Sequence, residues 1–445
     1  MGLDDHLESS LGMEMYSTET PGIGGRLKDR FEDFLVEEIT PEKEVLELYG
    51  LDFEKENLEV SGPKKKFVSF VVQKMGLSTM DVSTIIASVS GIPQHLVTYA
   101  GLKDKRAITT QMMSIPRGAA SKLCEMRLSR IRIGSPRHTK HPVQVGDLWG
   151  NRFTILLADI GVDCSLALKA SDELGNQPLL NYFGVQRFGV TRPITHLVGK
   201  QLIKKDFEAA ARHLLTDTTP YEPADLTETR TQLSEDFIPT PDIIDKFPQD
   251  LRYEREMLRQ LIKHPGDFKR AFSRVPSRVL MIFAHSFQSY LFNRLISRRA
   301  KAGLDLEIPG PGDFLIQLDT PHSGRDSWSY VTEASLESRV EEVKSGKYGL
   351  AAPLLGYTTK MPPSRQTEMV KALLKEESVS LQDFRNKEHK ALDSNGGFHL
   401  VSMRPIGLHS ECSEDGLRLR FSLRKGSYAT VVLREIMKNH PINRT

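Results

Sequence analysis

The chain has 445 residues, 39% of them hydrophobic and 27% charged, with a formal net charge of +2; that is enough for roughly two or three domains with a sizeable core. No stretch approaches a membrane-spanning apolar run, and the opening MGLDDHLESS is acidic and polar, unlike a secretory signal. Three scattered cysteines, Cys124, Cys164 and Cys412, argue against a disulfide framework or a zinc knuckle and for a reducing, cytoplasmic setting.

In chain order, GGRLKDRFEDFLVEEI (Gly24–Ile39) reads as a glycine turn, a charged stretch and a strand, FLVEEI. The segment LEVSGPKKKF reads as a turn, with Ser61–Lys66 as a small insertion, ahead of the apolar strand FVSFVVQ. Ser78 is placed to cap a helix through about Ser90, closed by Gly91 and followed by Pro93. HLVTY (His95–Tyr99) and TTQMMSI (Thr109–Ile115) read as strands, and AGLKDKRAITTQ joins them. Asp104 therefore sits near a strand end, a rigid place for a reactive carboxylate. Local pattern alone favours a plainer solvated turn residue between two lysines.

Between Arg117 and Arg152 stand eight Lys or Arg against two acids, Glu125 and Asp147. Such a field can meet a phosphate backbone, and an ordinary solvated face explains it equally well. Within it, SRIRIGS alternates Arg130 and Arg132 with Ile131 and Ile133, the pattern of a strand with one basic face. FTILLADI is a further strand, so the first part of the chain reads as α+β on a mixed or antiparallel sheet. After NYFGVQRFG (Asn181–Gly189) the character changes. KDFEAAARHLL is helical, and the acidic, Thr- and Pro-rich Leu215–Asp242 reads as irregular. Tyr253–Ile262 and Val279–Arg299 are helical, with Phe283, Phe287, Tyr290 and Leu291 spaced as core. From IPGPGDFLI to PLLGYTTKMPP, Gly and Pro punctuate strands and loops. LRLRFSLRKGSYATVVLREIM is a strand, a tight turn and a helix; Gly426 and Ser427 could face an anion, though helix initiation is the simpler role. The economical division is a core domain built from residues 1–194 and 406–445, interrupted by an insert at 195–405.

Few cofactor or metal chemistries fit. There is no phosphate loop, no zinc-binding H-E-x-x-H and no G-x-S-x-G elbow, and GIGGRLKD lacks a dinucleotide fingerprint. His138 and His141 with Cys124 do not complete a metal set. A protein acting on nucleic acid without cofactor fits this inventory, and so does a plain RNA-binding module.

Three blocks carry a specific likeness. IGGRLKDRFEDFLVEE (Ile23–Glu38), GLKDKRAITTQ (Gly101–Gln111) and NYFGVQRFG resemble the signature blocks of the TruD-type tRNA pseudouridine synthases. NRFTI, FQSYLFNRLISRR and KGSYATVVLRE match further stretches, so the likeness covers almost the whole chain and points to the archaeal form. The resemblance implies isomerisation of uridine to pseudouridine at position 13 of the tRNA D-arm, by a monomer needing no cofactor, metal or protein partner. The implied fold is an α+β pseudouridine synthase domain, a mixed, mostly antiparallel sheet with a central cleft. An α/β TRUD-specific domain is inserted in it and closes over the RNA. By the same likeness Asp104 is the catalytic residue, Lys28 and Lys103 line the cleft, and Asn181 and Phe183 belong to the site. Phe183 stacks under the target base, where related families place a tyrosine.

The chemistry suits these residues. The bond from ribose C1′ to uracil N1 must break, the base must turn, and C1′ must join C5. An ionised carboxylate near the ribose could attack C1′ or remove the C2′ proton. A cation beside it favours the ionised form. Lys28 is the preferred partner, because a residue adjacent to a strand-borne Asp points away from it. An aromatic under the base tolerates rotation, and Asn181 carries both donor and acceptor. Arg187, Arg130 and Arg132 are candidate phosphate contacts. The alternative is a non-catalytic RNA-binding or RNA-chaperone protein using the same basic cleft.

Overall fold

A computed structural model describes residues 6–27, 29–50, 58–125, 128–320 and 327–444. Lys28 lies outside them. The chain forms two compact units. One comprises Ser17–Leu179, Asp319–Ser323 and Met403–Thr445; the other comprises Met1–Tyr16, Leu180–Leu318 and Gly324–Ser402.

The first unit is organised on nine strands: β1 (Gly24–Arg26), β2 (Phe34–Ile39), β3 (Phe67–Met75), β4 (Thr98–Tyr99), β5 (Ile108–Pro116), β6 (Ile131–Thr139), β7 (Gly150–Ile160), β8 (Ile406–Ser413) and β9 (Gly416–Arg424). Their order is β8-β9-β7-β2-β5-β3-β6, with β1 beside β7 and β4 beside β5. All pairings are antiparallel except that of β2 with β5. The expected mixed, mostly antiparallel sheet is therefore present.

Alternation decides which face each residue takes. Val68, Phe70 and Val72 of β3 pack with Met113, Ile115, Ile131 and Ile133 beneath α1 (Thr79–Ser90) and α2 (Ala120–Glu125). The α1 start is reciprocal: Asp81 N–H donates to Ser78 Oγ at 3.1 Å, and Ser78 N–H to the Asp81 carboxylate at 2.9 Å. Such a cap is worth about 1 kcal/mol. Gly91 closes the helix at φ +68°, a conformation that favours glycine. Toward the other edge, α3 (Cys164–Asn176) packs on β8 and β9, and α4 (Ala429–Met437) packs on α3. The two ends of this unit meet through the buried Glu435, whose Oε2 accepts the Ser17 and Thr18 N–H groups at 2.7 and 3.2 Å. Lys438 completes the tie to the Thr18 and Thr20 carbonyls.

The second unit is mainly helical around Ser277–Lys301, in which Phe283, Phe287 and Leu291 are buried as their spacing suggests. It also holds an antiparallel sheet of Trp328–Tyr330, Phe314–Gln317, Tyr348–Leu354 and Gly397–Leu400, in that order. No helix among the described residues is long and apolar enough to cross a membrane.

Several expectations need correction. Leu215–Asp242 is not irregular, because Ala224–Asp236 is a helix. Its buried side includes Thr229 and Arg230 between Leu226 and Leu233, so composition conceals the face. Arg230 donates to the Leu214 and Leu215 carbonyls and pairs with Glu222 at 3.2 Å. Within the stretch read as strands and loops, Leu336–Lys344 is also helical; none of its residues is fully buried, so no apolar face announces it. In His95–Tyr99 only Thr98 and Tyr99 pair as strand, and Gln94–Leu96 is a 3₁₀ turn. The compact units part at Leu179/Leu180, so the Asn181–Gly189 block lies in the helical unit.

The cysteines need the largest revision. Cys164 and Cys412 form a disulfide, with Cα atoms 5.6 Å apart, joining α3 to β8; Cys124 takes no part in it. Scattered positions concealed this because the bond spans a separation of 248 residues. The argument for a reducing compartment from unpaired cysteines no longer holds. Closing so long a loop stabilises by about 5.5 kcal/mol on a chain-entropy account. Dithiothreitol, or C164S, should therefore lower Tm by roughly 10 °C; an unchanged melting curve in both would show that the bond contributes nothing.

Candidate active site

The Asp104 loop is held in place by buried polar groups from β2, β3, β5 and α1. At the end of β3, the turn through Gly76 adopts φ +66°, and a Cβ there would stand 2.9 Å from the Phe31 ring. The turn brings the Leu77 carbonyl back over Lys74, whose ammonium donates to it at 2.8 Å. The same ammonium donates to the Asp104 main-chain carbonyl at 2.7 Å. Register places Lys74 opposite Thr109, on the face that carries Gln111 and Glu38. Glu38 accepts the Met112 N–H at 2.8 Å with one oxygen and the Lys103 ammonium at 2.5 Å with the other. Thr79 accepts the Lys103 N–H at 2.9 Å and donates to Gln111, whose amide donates to the Gly101 carbonyl at 3.2 Å. Main-chain groups of Gly101, Lys103 and Asp104 are thus fixed, while Asp104 stays partly accessible.

Lys103 takes a different place from the one its motif suggests. Its side chain is only 3% exposed and is paired with Glu38, which places it in the support of the loop. Lys74 and Glu38 were missed in sequence. Lys74 closes an apolar strand and Glu38 an apolar-acidic one, and only the sheet register reveals that both meet the loop. Burial lowers the Lys74 pKa to about 8, against the opposing attraction of Asp104.

Arg130 and Arg132 are not part of this constellation. Arg132 pairs in register with Gln73, on the sheet face opposite Lys74. Its guanidinium lies 4.9 Å over the Tyr49 ring and donates to the Tyr49 carbonyl. Arg130 is exposed just before β6. Arg152, from the same basic stretch, is paired with Glu37 at 2.6 Å and Glu47 at 3.2 Å. Part of the sequence's basic field is therefore internally neutralised.

In the helical unit, Asn181, Phe183 and Arg187 do come together. The Phe183 ring, 7% exposed, stacks on His399 at 4.6 Å with Phe292 edge-on, and the Arg187 guanidinium lies 5.8 Å over it. Asn293 fixes the Phe183 main chain from both sides: its Oδ1 accepts the N–H at 2.8 Å and its amide donates to the carbonyl at 2.9 Å. Asn181 Nδ2 approaches His399 Nε2 at 3.1 Å. Burial and the nearby Arg187 lower the His399 pKa to about 4, so the ring is neutral and Nε2 can accept. Asn181 Oδ1 is buried and has no hydrogen-bond partner among the described residues. His399 was not foreseen, since GFHLV carries no signal of it. Among the described residues no group of three or more His, Cys, Asp or Glu could hold a metal ion.

The family model described as "tRNA pseudouridine synthase D (TruD)" matches residues 10–436. The chain is 33% identical to the "Probable tRNA pseudouridine synthase D" of Methanosarcina mazei, covering 98% of each. It is 35% identical to the protein of the same name in Thermococcus onnurineus, over 96% of this chain and 97% of that one. A crystal structure of tRNA pseudouridine synthase D from Methanosarcina mazei superposes with a TM-score of 0.80 at 30% identity, covering 99% of both chains.

If the Lys74 ammonium is what holds the loop, K74M leaves the Asp104 and Leu77 carbonyls without their donor. Amide exchange across Gly101–Asp104 should then speed up by about 5–150-fold, the equivalent of roughly 1–3 kcal/mol per lost partner. Exchange indistinguishable from wild type would show that the loop holds itself.

Proposed function

This chain belongs to the TruD family of tRNA pseudouridine synthases, and on that premise we propose that it isomerises uridine in tRNA, at position 13 of the D-arm, with Asp104 as the catalytic carboxylate. The observation that carries the reading is the clamp on the GLKD loop. Three of its four residues are tied by main-chain hydrogen bonds, and Asp104 itself stays partly accessible. A merely solvated turn has no need of two buried lysines. The reading takes the nine-stranded unit as the synthase domain and the helical unit as the TRUD-specific one, in a monomer that needs no protein partner.

In this reading the carboxylate stands at the ribose as the C1′–N1 bond weakens. It either adds to C1′, to be displaced when C5 bonds there, or takes the C2′ proton and returns it after the base has turned. Both routes end when the C5 hydrogen leaves as a proton. Phe183 is the stacking surface for uracil, with its other face already on His399. The unpartnered Asn181 Oδ1 is the acceptor offered to the uracil N3–H. Arg187 supplies positive charge near the same ring.

With tRNA tritiated at uridine C5, wild type should release tritium to water and D104N at least about a thousandfold more slowly, both binding tRNA alike. F183A should lose about 5–150-fold, the worth of one base–aromatic stack, and F183Y much less. Release by D104N at the wild-type rate would remove Asp104 from its role. Binding without release by either protein would favour the RNA-binding module.

The Lys74 pKa of about 8 adds a pH test. As pH rises through that value the ammonium becomes an amine and its hold on Asp104 weakens, so kcat should fall. Titration of Lys74 itself would not unfold the chain. A lysine whose pKa is lower folded than unfolded binds fewer protons in the native state, so its contribution to stability grows from about pH 8 to its ordinary value of 10.5. A flat kcat across that range would discount the ammonium.

A further inference from the structure

A second concavity lies beside the Asp104 loop in the nine-stranded unit. Its volume is about 490 Å³, and its walls are Met80, Val97, Tyr99, Pro142 and Val143, with Val145 at the rim. The Tyr99 hydroxyl donates to the Met80 sulfur, which makes one wall a soft, flat surface. No carboxylate lines it. By contrast, the concavity on the sheet around Arg152, Arg418 and Arg420 also contains Glu37 and Glu411, which offset its charge. Two apolar residues here face water, Val145 at 75% exposure and Leu96 at 37%.

We propose that this hollow receives a nucleobase of the same RNA strand, from a nucleotide near the target uridine, and so contributes to substrate choice. The proposal rests on the reading of the chain as a tRNA-modifying enzyme. Separation decides against the target base itself. Tyr99 pairs opposite Met113, whereas Lys74, which holds Asp104, pairs opposite Thr109. Four residues along β5 at about 3.4 Å each put the two places roughly 14 Å apart. A neighbouring nucleotide spans such a gap. The chemistry also fits. An apolar slot with an aromatic wall suits the face of any base. The exposed His95 and Gln144 stand at the mouth, where the edge of a base would need donors and acceptors. Lys140 and His141, both exposed, lead into the Pro142 wall and offer charge to the phosphates. The wall is moreover tied to the catalytic loop: Val143 N–H donates to Ser114 Oγ and Gly146 N–H to the Ala100 carbonyl, both at 2.8 Å. Filling the hollow therefore bears on the residue just ahead of Gly101.

The test uses the full chain and C5-tritiated tRNA carrying one abasic nucleotide at each of three positions on either side of the target. On wild type, loss of the captured base should lower kcat/KM by about 5–150-fold at one position. V145D, at a residue too exposed to threaten folding, should show that loss with intact tRNA and suffer less than about twofold more from the same abasic position. Y99A, confirmed folded by its melting curve, should behave likewise. If every abasic position costs wild type and both variants by the same factors, the hollow holds no base of the substrate and the proposal falls. V145D and Y99A reacting like wild type on intact tRNA would overturn it too. Absence of tritium release from any RNA by wild type would instead fail the enzymatic reading, and this proposal with it.

Discussion

A parallel pair of strands in an otherwise antiparallel sheet is the constraint from which the Asp104 site follows. Because β2 runs alongside β5 in the same direction, Leu35, Val36 and Glu37 stand opposite Ile108, Thr109 and Thr110. Glu38 then falls where one oxygen takes the Met112 N–H and the other the Lys103 ammonium. A slip of one residue would turn Glu38 to the opposite face and leave Lys103 buried without its counter-charge.

Two buried lysines in one loop clamp are costly to fold around. Burial disfavours each ammonium, and a buried ion pair seldom adds net stability over apolar packing. What such groups supply is a single geometry. Lys74 reaches two carbonyls that approach each other only in this turn, one before α1 and one in the Asp104 loop. Stability comes from elsewhere. The apolar faces of β3, β5 and β6 under α1 and α2 form a continuous core, and the disulfide ties α3 to β8. The closing motif serves this scaffold as well: Glu435 and Lys438 secure the chain near Ser17–Thr20 instead of facing a substrate.

The aromatic block behaves differently from the GLKD loop. Asn181, Phe183 and Arg187 are presented by a helical unit, through Asn293 of its long helix and His399 of its small sheet. Here too the main chain is fixed first and the side chains take their directions from it. An acceptor with no partner, Asn181 Oδ1, remains beside a neutral histidine.

The sequence by itself determined what depends on neighbours along the chain. Alternation exposed β5, β6 and β9, strand-forming runs exposed β2, β3 and β7, and the Ser78 cap and Gly91 stop delimited α1. The motif blocks determined the family, and with it the candidates Asp104, Asn181 and Phe183. Only the tertiary structure decided which partners those residues have. That Lys103 turns to Glu38, that Lys74 lies behind Asp104, and that Arg132 faces away are consequences of strand register, which couples residues dozens of positions apart. Arg230 hid a helix, and Cys164 and Cys412 hid a bond, for the same reason. A buried arginine or a paired cysteine is defined by what folds against it, and local pattern carries no record of that.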